Sequence, residues 1–388
     1  MCCVHIAGTG LTAFGEHEGR TGRDLFAEAG LEAVDDADVD PADVEEIYYG
    51  NFVGTLAEGQ GHQGPLVAEA IGVDAPARRL EAACASSGTA VREGVRAIES
   101  GQAEVVVVGG MERMTNMGTE GATKGLATAA DDLYEVRAGM TFPGAYALMA
   151  QAYFAEYGGD REDLAHVATK NHEHGLENPK AHFQLEIDLE DVLSAPRVAD
   201  PLGLYDACPI SDGASAIVLT SEEYVERESL ETSVAITGSG QGNDRLALQD
   251  RDSMAATPAT AAAATTAYED AGIGPEDVDL AEVHDCFTIA EVLALEGLGL
   301  YDPGEAITAA REGETTRDGR LPVNLSGGLK AKGHPVGATG VAQVVAVAES
   351  LAGDFPNADA VPDATVGVAH NAGGTVATAT VHVLEVVA

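Results

Sequence analysis

The chain has 388 residues, enough for two or three domain-sized cores, and 45% of them are hydrophobic, which excludes a disordered protein. Asp and Glu number 64 against 21 Lys and Arg, a formal charge of −43, so a basic nucleic-acid-binding face is excluded. No apolar run approaches the about eighteen residues of a membrane-spanning helix, so no membrane association is expected.

In chain order, MCCVHIAGTGLTAFGE (1–16) has no basic region followed by a long apolar stretch. It reads as a buried strand and not a signal peptide, and a cytoplasmic location is expected. LFAEAGLEAVDDADVDPADVEEIYYGNF (25–52) reads as a helix, a turn with proline and a strand. EAACASSGTAV (81–91) places Cys84 where a helix begins. AVREGVRAIESG (90–101) is an amphipathic helix ended by glycine, and AEVVVVGG (103–110) is a fully buried strand. Residues 116–206 fit no repeat and read as an inserted loop domain, of the kind that binds substrate.

The second half runs like the first. PATAAAATTAYEDAGIGPEDVDLAEVHDCF (258–287) repeats the helix, turn and strand of 25–52. SDGASAIVLTSEE (211–223) and HNAGGTVATATVHVLE (370–385) both lead from a Gly-rich turn into an alternating strand. The expected organisation is α/β: residues 1–115 with 207–230 as one half, 116–206 as the insertion, and 231–388 as the other half.

Several side chains stand where such folds place chemistry. At a helix N-terminus the dipole and free N–H groups would stabilise a Cys84 thiolate and could bind an oxyanion, though a small core cysteine is the alternative. EVHDCFTIAEVLAL (282–295) sets His284, Asp285 and Cys286 at a strand-to-helix turn. GGLKAKGHPVGATG (327–340) presents His334 on a loop, and VGVAHNAGG (366–374) puts His370 and Asn371 at a strand end. Each histidine could instead be structural, but two cysteines and three histidines at strand ends and loops are hard to explain by packing alone. Cysteines stand at 2, 3, 84, 208 and 286 with no metal-ligand spacing, and their odd number argues against a disulfide framework; Cys2 and Cys3 are given no role. The acidic residues are spread along the chain, as in a halophile's cytosolic protein, where salt screens the self-repulsion. Lys330 and Lys332, two of only five lysines, flank the GHP loop. Either they pair with carboxylates or they face anionic phosphates.

Together these segments resemble the thiolases, in particular their archaeal and sterol-carrier-protein-linked branch. The likeness rests on AACASSG, GGMERM (109–114), PLGLYDACPISDGASAIVL (201–219), HDCFT and GGLKAKGHPVGATG, and it runs from GTGLTAFGE to HNAGGTVATATVHVLE. It implies a duplicated αβαβα layered core with an inserted loop domain, assembled as a homodimer or tetramer. Carried over by position, Cys84 matches the acyl-accepting nucleophile. His334 matches the histidine that activates it and helps to bind a thioester oxygen. His284 stands where many thiolases have an asparagine. Many thiolases carry an acid/base cysteine where this chain has His370, which leaves Cys286 as the replacement, with His370 positioning it; the reverse assignment is the alternative. The backbone N–H groups of Cys84 and Ala372 match the second oxyanion hole. The lysines would then lie at the CoA-facing end of the cleft.

The activity implied is reversible Claisen condensation of two acyl-CoA molecules, acetyl-CoA first among them, to a 3-oxoacyl-CoA and CoA through an acyl-Cys84 intermediate. CoA thioesters are substrates, and no bound cofactor or metal is implied. One rival is another condensing enzyme, of the ketoacyl or hydroxymethylglutaryl synthase type; those lack a second active-site cysteine. The other is a lipid-binding scaffold, which would have no reason to keep Cys84, Cys286 and His334 together. The branch also suggests a small zinc-containing OB-fold protein and a hydroxymethylglutaryl-CoA synthase as partners.

Overall fold

Nine strands of the computed structural model, which describes residues 3–387, form one mixed sheet. Cys2 lies outside the described residues. The strands are β1 (Val4–Leu11), β2 (Glu46–Gly50), β3 (Ala77–Leu80), β4 (Val105–Glu112), β7 (Gly213–Ser221), β8 (Val234–Asn243), β9 (Leu280–Glu282), β10 (Val366–Gly373) and β11 (Thr378–Val386). The short β5 (Arg197–Ala199) and β6 (Leu202–Gly203) pair separately. The order across the large sheet is β3-β2-β4-β7-β1-β8-β11-β10-β9. It reads alike outward from its centre. Beside β1 stands β7, the last strand of the first half, then β4 and β2; beside β8 stands β11, the last strand of the second half, then β10 and β9. The halves meet where β1 and β8 pair antiparallel, through Val4–Ile236 and His5–Ala235.

The helices repeat in the same way. Gly22–Asp36 and Pro258–Ala271 follow the first strand of each half, and Ser86–Glu99 and Thr339–Ala352 precede β4 and β10. The latter two lie between the halves: Val91, Val95, Val341 and Val345 share one apolar cluster with Val106 and Val108 on one side and with Leu280 and Ala369 on the other. Val105 and Val107 of β4 point the opposite way, toward Phe26 and Ala33 of the first outer helix. The period-two alternation of this buried strand therefore serves both its faces. The layers run α, β, α, β, α.

Close helix-to-strand approach explains the glycines in the two central strands. A Cβ at Gly8 or Gly10 would run into the carbonyl oxygen of Ala33 or Ala29, and one at Gly238, Gly240 or Gly242 into that of Ala267, Ala263 or Ala259. The GTG of β1 and the GSGQG of β8 thus do the same work against alanine-rich helix faces.

Between β4 and β7 the chain forms four helices, Gly118–Ala127, Phe142–Tyr157, Arg161–Glu177 and Leu189–Ser194, together with β5 and β6. This stretch leaves the first half but packs on the second: Tyr146, Met149, Tyr153, Leu164 and Val167 join the cluster of Ile289, Leu293 and Ala263. It carries Tyr146 to the ends of β10 and the Thr288–Gly297 helix, beside the HDCF turn.

Candidate active site

After β3 the chain turns sharply through Ala83, whose φ of +51° is strained for an alanine. Two bonds hold it there: the Ala83 N–H donates to Glu81 at 2.7 Å, and the Ser86 hydroxyl donates to the Ala83 carbonyl at 2.6 Å. The turn sets Cys84 just ahead of the Ser86–Glu99 helix, with 9% of its surface exposed. Val53, Met114, Ala122 and Val336 wall it in. Burial pushes the thiol up to about 12, against the pull of a hydrogen bond from the Gly374 N–H. Cys84 therefore rests as a neutral thiol and needs a base.

His334 lies beside it. Its imidazole and that of His284 stand edge to face, with ring centroids 4.9 Å apart. The Cys84 sulfur and one ring nitrogen of each histidine lie within 4.8 Å of one another. His334 Nδ1 contacts the Thr339 hydroxyl at 2.8 Å, and that hydroxyl donates its one proton to the Pro335 carbonyl at 3.0 Å. Nδ1 of His334 must then carry the proton, which leaves the Nε2 lone pair for Cys84. Burial and Lys332 hold the ring neutral, its pKa lowered to about 3.

His284 takes the opposite tautomer. The Asn371 amide donates to its Nδ1 at 3.0 Å, so Nε2 carries the proton. That nitrogen is buried and has no hydrogen-bond partner among the described residues: a donor aimed into the site. Burial lowers the ring's pKa well below the ordinary imidazole value, with the two neighbouring histidines adding to the effect. The sulfur and two nitrogens are grouped as a metal ion would require, but a protonated Nε2 suits a thioester oxygen rather than a cation.

Cys286 occupies the HDCF turn and is buried. Burial raises its thiol well above the ordinary value; the Tyr146 hydroxyl is the contact that favours the thiolate. That hydroxyl also reaches the Gly374 carbonyl at 3.0 Å. His370 lies behind His284. Its Nδ1 accepts the His284 backbone N–H at 3.4 Å, and its Nε2 meets the Thr260 hydroxyl at 3.1 Å. Both nitrogens are thus engaged, one with the His284 backbone and one with Thr260. Ala372 lies in β10 opposite Ala379, two residues before the Gly374 N–H that meets the Cys84 sulfur.

A family model described as "Thiolase, N-terminal domain" matches residues 4–223, and one described as "Thiolase C-terminal domain-like" matches residues 240–386. The chain belongs to the thiolase family. This thiolase is 43% identical to the acetyl-CoA acetyltransferase of Methanothermobacter thermautotrophicus, over 98% of this chain and 99% of the other. It is 36% identical to the benzoylsuccinyl-CoA thiolase subunit BbsB of Thauera aromatica, over 96% and 94%. With sterol carrier protein 2 of Homo sapiens it shares 32% identity over 95% of this chain and 70% of that one. Among solved structures it resembles the Ltp2-ChsH2(DUF35) aldolase, with a TM-score of 0.85 and 26% identity over 99% and 98% of the two chains. It is an acyltransferase with thiolase activity.

The structure corrects the reading of Lys330 and Lys332 as CoA contacts. Both lie inside the thiolase, 2% and 1% exposed. Lys332 pairs with the buried Glu282 at 3.5 Å. Lys330 sits 5.9 Å from the centre of the Tyr205 ring, and burial lowers its ammonium to about 8 despite Cys208, Asp285 and Asp206 nearby. A phosphate contact needs a cation that solvent reaches. The short Gly328–Lys332 helix instead turns both side chains inward. Tyr146, Thr339 and Gly374 escape a reading of the sequence, because nothing in their local pattern distinguishes them from packing residues.

Proposed function

We propose that this thiolase joins two molecules of acetyl-CoA to acetoacetyl-CoA and CoA, reversibly, with Cys84 carrying the acyl group. The observation that supports it is the convergence of the Cys84 sulfur on two imidazoles of opposite tautomer. His334 takes the Cys84 proton as the sulfur attacks the first thioester. The backbone N–H groups of Cys84 and Ala372 hold the oxyanion, and the Gly374 N–H steadies the sulfur. The departing CoA thiolate takes the proton of Cys286. Cys286, now a thiolate, removes the α-proton of the second acetyl-CoA, whose carbonyl oxygen accepts from His284 and from protonated His334. The enolate attacks acyl-Cys84, and the released Cys84 sulfur recovers its proton from His334. Each group ends as it began.

The tight apolar wall of Val53, Met114, Ala122 and Val336 around Cys84 and the acetyl-CoA acetyltransferase names of two archaeal relatives support a short acyl group. The reading needs no bound cofactor or metal. It further takes the protein as a homodimer or tetramer in the cytoplasm of a halophilic archaeon. The likeness to the Ltp2-ChsH2(DUF35) assembly supports a protein partner, with the zinc-containing OB-fold protein and the hydroxymethylglutaryl-CoA synthase as candidates.

Labelled acetyl-CoA tests the roles. Label should be trapped on Cys84, and Cys84→Ala should abolish it. Cys286→Ser should keep acylation but lose exchange of the acetyl-CoA α-protons into deuterated water, while His370→Ala loses less. Label on Cys208 or Cys286 would overturn the nucleophile. Near wild-type exchange in Cys286→Ser together with its loss in His370→Ala would reverse the base.

A further inference from the structure

A third thiol stands at this site with no task in the reaction. Ala207 forms an isolated antiparallel bridge with Phe287, and the next residue, Cys208, donates its N–H to the Cys286 carbonyl at 3.0 Å. Cys208 and Cys286 are therefore opposed, Cys208 one residue past the bridge and Cys286 in the bend one residue before it. Residues opposed in a hydrogen-bonded antiparallel pair have Cα atoms about 5.5 Å apart, and Cys286 and Cys208 both pack on the apolar cluster around Phe287. Disulfides span Cα separations of roughly 4.4–6.8 Å. We propose that Cys208 and Cys286 form a reversible disulfide when this thiolase meets a peroxide, and that the bond switches condensation off. The loss of activity, though not the bond itself, rests on the reading of Cys286 as the acid/base.

The surroundings fit a pair with one entry point. Cys208 is half-buried while Cys286 is buried, so Cys208 is the nearer of the two to solvent. Burial pushes the Cys208 thiol up to about 12; among its charged neighbours Lys330 opposes that rise and would steady the thiolate as it forms, and its ammonium makes no salt bridge among the described residues. The thiolate attacks hydrogen peroxide, the O–O bond breaks, and Cys208 becomes a sulfenic acid with release of water. The Cys286 sulfur then attacks the Cys208 sulfur. An S–S bond forms, the S–O bond breaks, and the hydroxide leaves with the Cys286 proton as a second water. Two thiols are oxidised by two electrons, and one peroxide is reduced to two waters. A dithiol reverses the step. With its sulfur in the bond, Cys286 has no proton to give or take.

The test treats the full-length protein with hydrogen peroxide, alkylates the free thiols and maps peptides without reduction. The expected result is a Cys208–Cys286 cross-linked peptide. Condensation activity should fall more than tenfold and return with dithiothreitol. Cys208→Ser and Cys208→Ala should keep the basal activity, form no such peptide and show no loss that dithiothreitol restores. Lys330→Met should slow the cross-linking. Absence of the peptide, or a cross-link from Cys84 in its place, overturns the proposal. A Cys208–Cys286 cross-link that leaves activity within twofold upholds the bond and overturns the role of Cys286 as base and with it the switch.

Discussion

His334 and His284 hold opposite tautomers because each meets a different neighbour at Nδ1. The Thr339 hydroxyl has one proton and gives it to the Pro335 carbonyl, so it can only accept from His334. Asn371 brings an amide N–H to His284, so that ring can only accept there. Removing the instruction should cost function without removing the ring. In Thr339→Val, His334 loses the acceptor that fixes its tautomer, at a cost of about 1–1.5 kcal/mol for one neutral hydrogen bond. The rate of Cys84 acylation should fall about tenfold, with little change in KM for acetyl-CoA. Rapid-quench measurement of the acyl-enzyme checks this, and Thr339→Ser should restore most of the rate because the hydroxyl is kept. An unchanged acylation rate in Thr339→Val would show that the tautomer is set elsewhere.

The HDCF turn is held as an element by a buried polar network. Lys170 donates to Glu291 at 2.7 Å and to the Val323 carbonyl at 3.0 Å. Asn171 bonds both Asp285, at 2.7 Å, and Glu291, at 2.9 Å. Asp285 in turn accepts the Leu329 N–H at the start of the short lysine-bearing helix, at 2.6 Å. Burial and the Glu291 charge raise the Asp285 carboxyl, while this N–H and the Lys170 ammonium oppose the rise. Lys170→Met leaves Glu291 buried with no cation, which should cost about 3–5 kcal/mol. Urea unfolding at constant KCl measures it, and the Lys170→Met/Glu291→Leu double variant should regain most of the loss.

A second element-level effect depends on pH. His382 of β11 bonds the Ser239 hydroxyl and the Gly88 carbonyl, each at 3.0 Å, and ties β8 to the middle helix. Burial lowers its pKa to about 4 from 6.5. Between those values the unfolded chain holds a proton that the native state does not, so this histidine's contribution to stability declines as pH falls through that window. The slope is at most about 1.4 kcal/mol per pH unit. His382→Asn should show a shallower decline of stability than wild type between pH 6.5 and 4, whatever its stability at neutral pH. Equal slopes in urea titrations would contradict it.

Across the whole molecule, charge and topology act separately. Topology brings the Ser86–Glu99 and Thr339–Ala352 helices together between the halves, where the Ser87 hydroxyl accepts the Gly340 N–H at 2.9 Å. Cys84 and His334, from opposite halves, thereby meet just ahead of two helix N-termini. Charge opposes this compactness: the formal excess is −43, and much of it lies on exposed helix faces such as Glu28, Asp35 and Asp36. Self-repulsion at that density weakens the folded state in dilute buffer, and at molar salt the Debye length shrinks to about 3 Å. Tm and activity should both rise from dilute buffer to molar KCl. A flat or falling Tm across that series would show that the acidic surface carries no such cost.

The chain by itself determined what depends on neighbours a few residues away. Valine alternation, glycine and proline punctuation and the helix start after Cys84 marked the α/β elements, and their repetition marked the two halves. Cys84, His284, Cys286 and His334 stood out because each sits at a strand end, a turn or a loop, where local sequence decides exposure of a side chain to a cleft. Proton placement, burial and pairing were decided only by the tertiary structure, since the contacts responsible join distant parts of the chain. Asn371 and His284 are 87 residues apart, and Tyr146 and Gly374 are 228 apart. Local sequence left Lys330 and Lys332 free either to pair with carboxylates or to face phosphates; a carboxylate from β9 and the packing of a five-residue helix drew them inside. Cys208 and Cys286, 78 positions apart in the chain by residue number, became opposed because an isolated bridge and one backbone hydrogen bond join the two segments, a relation that no local pattern encodes.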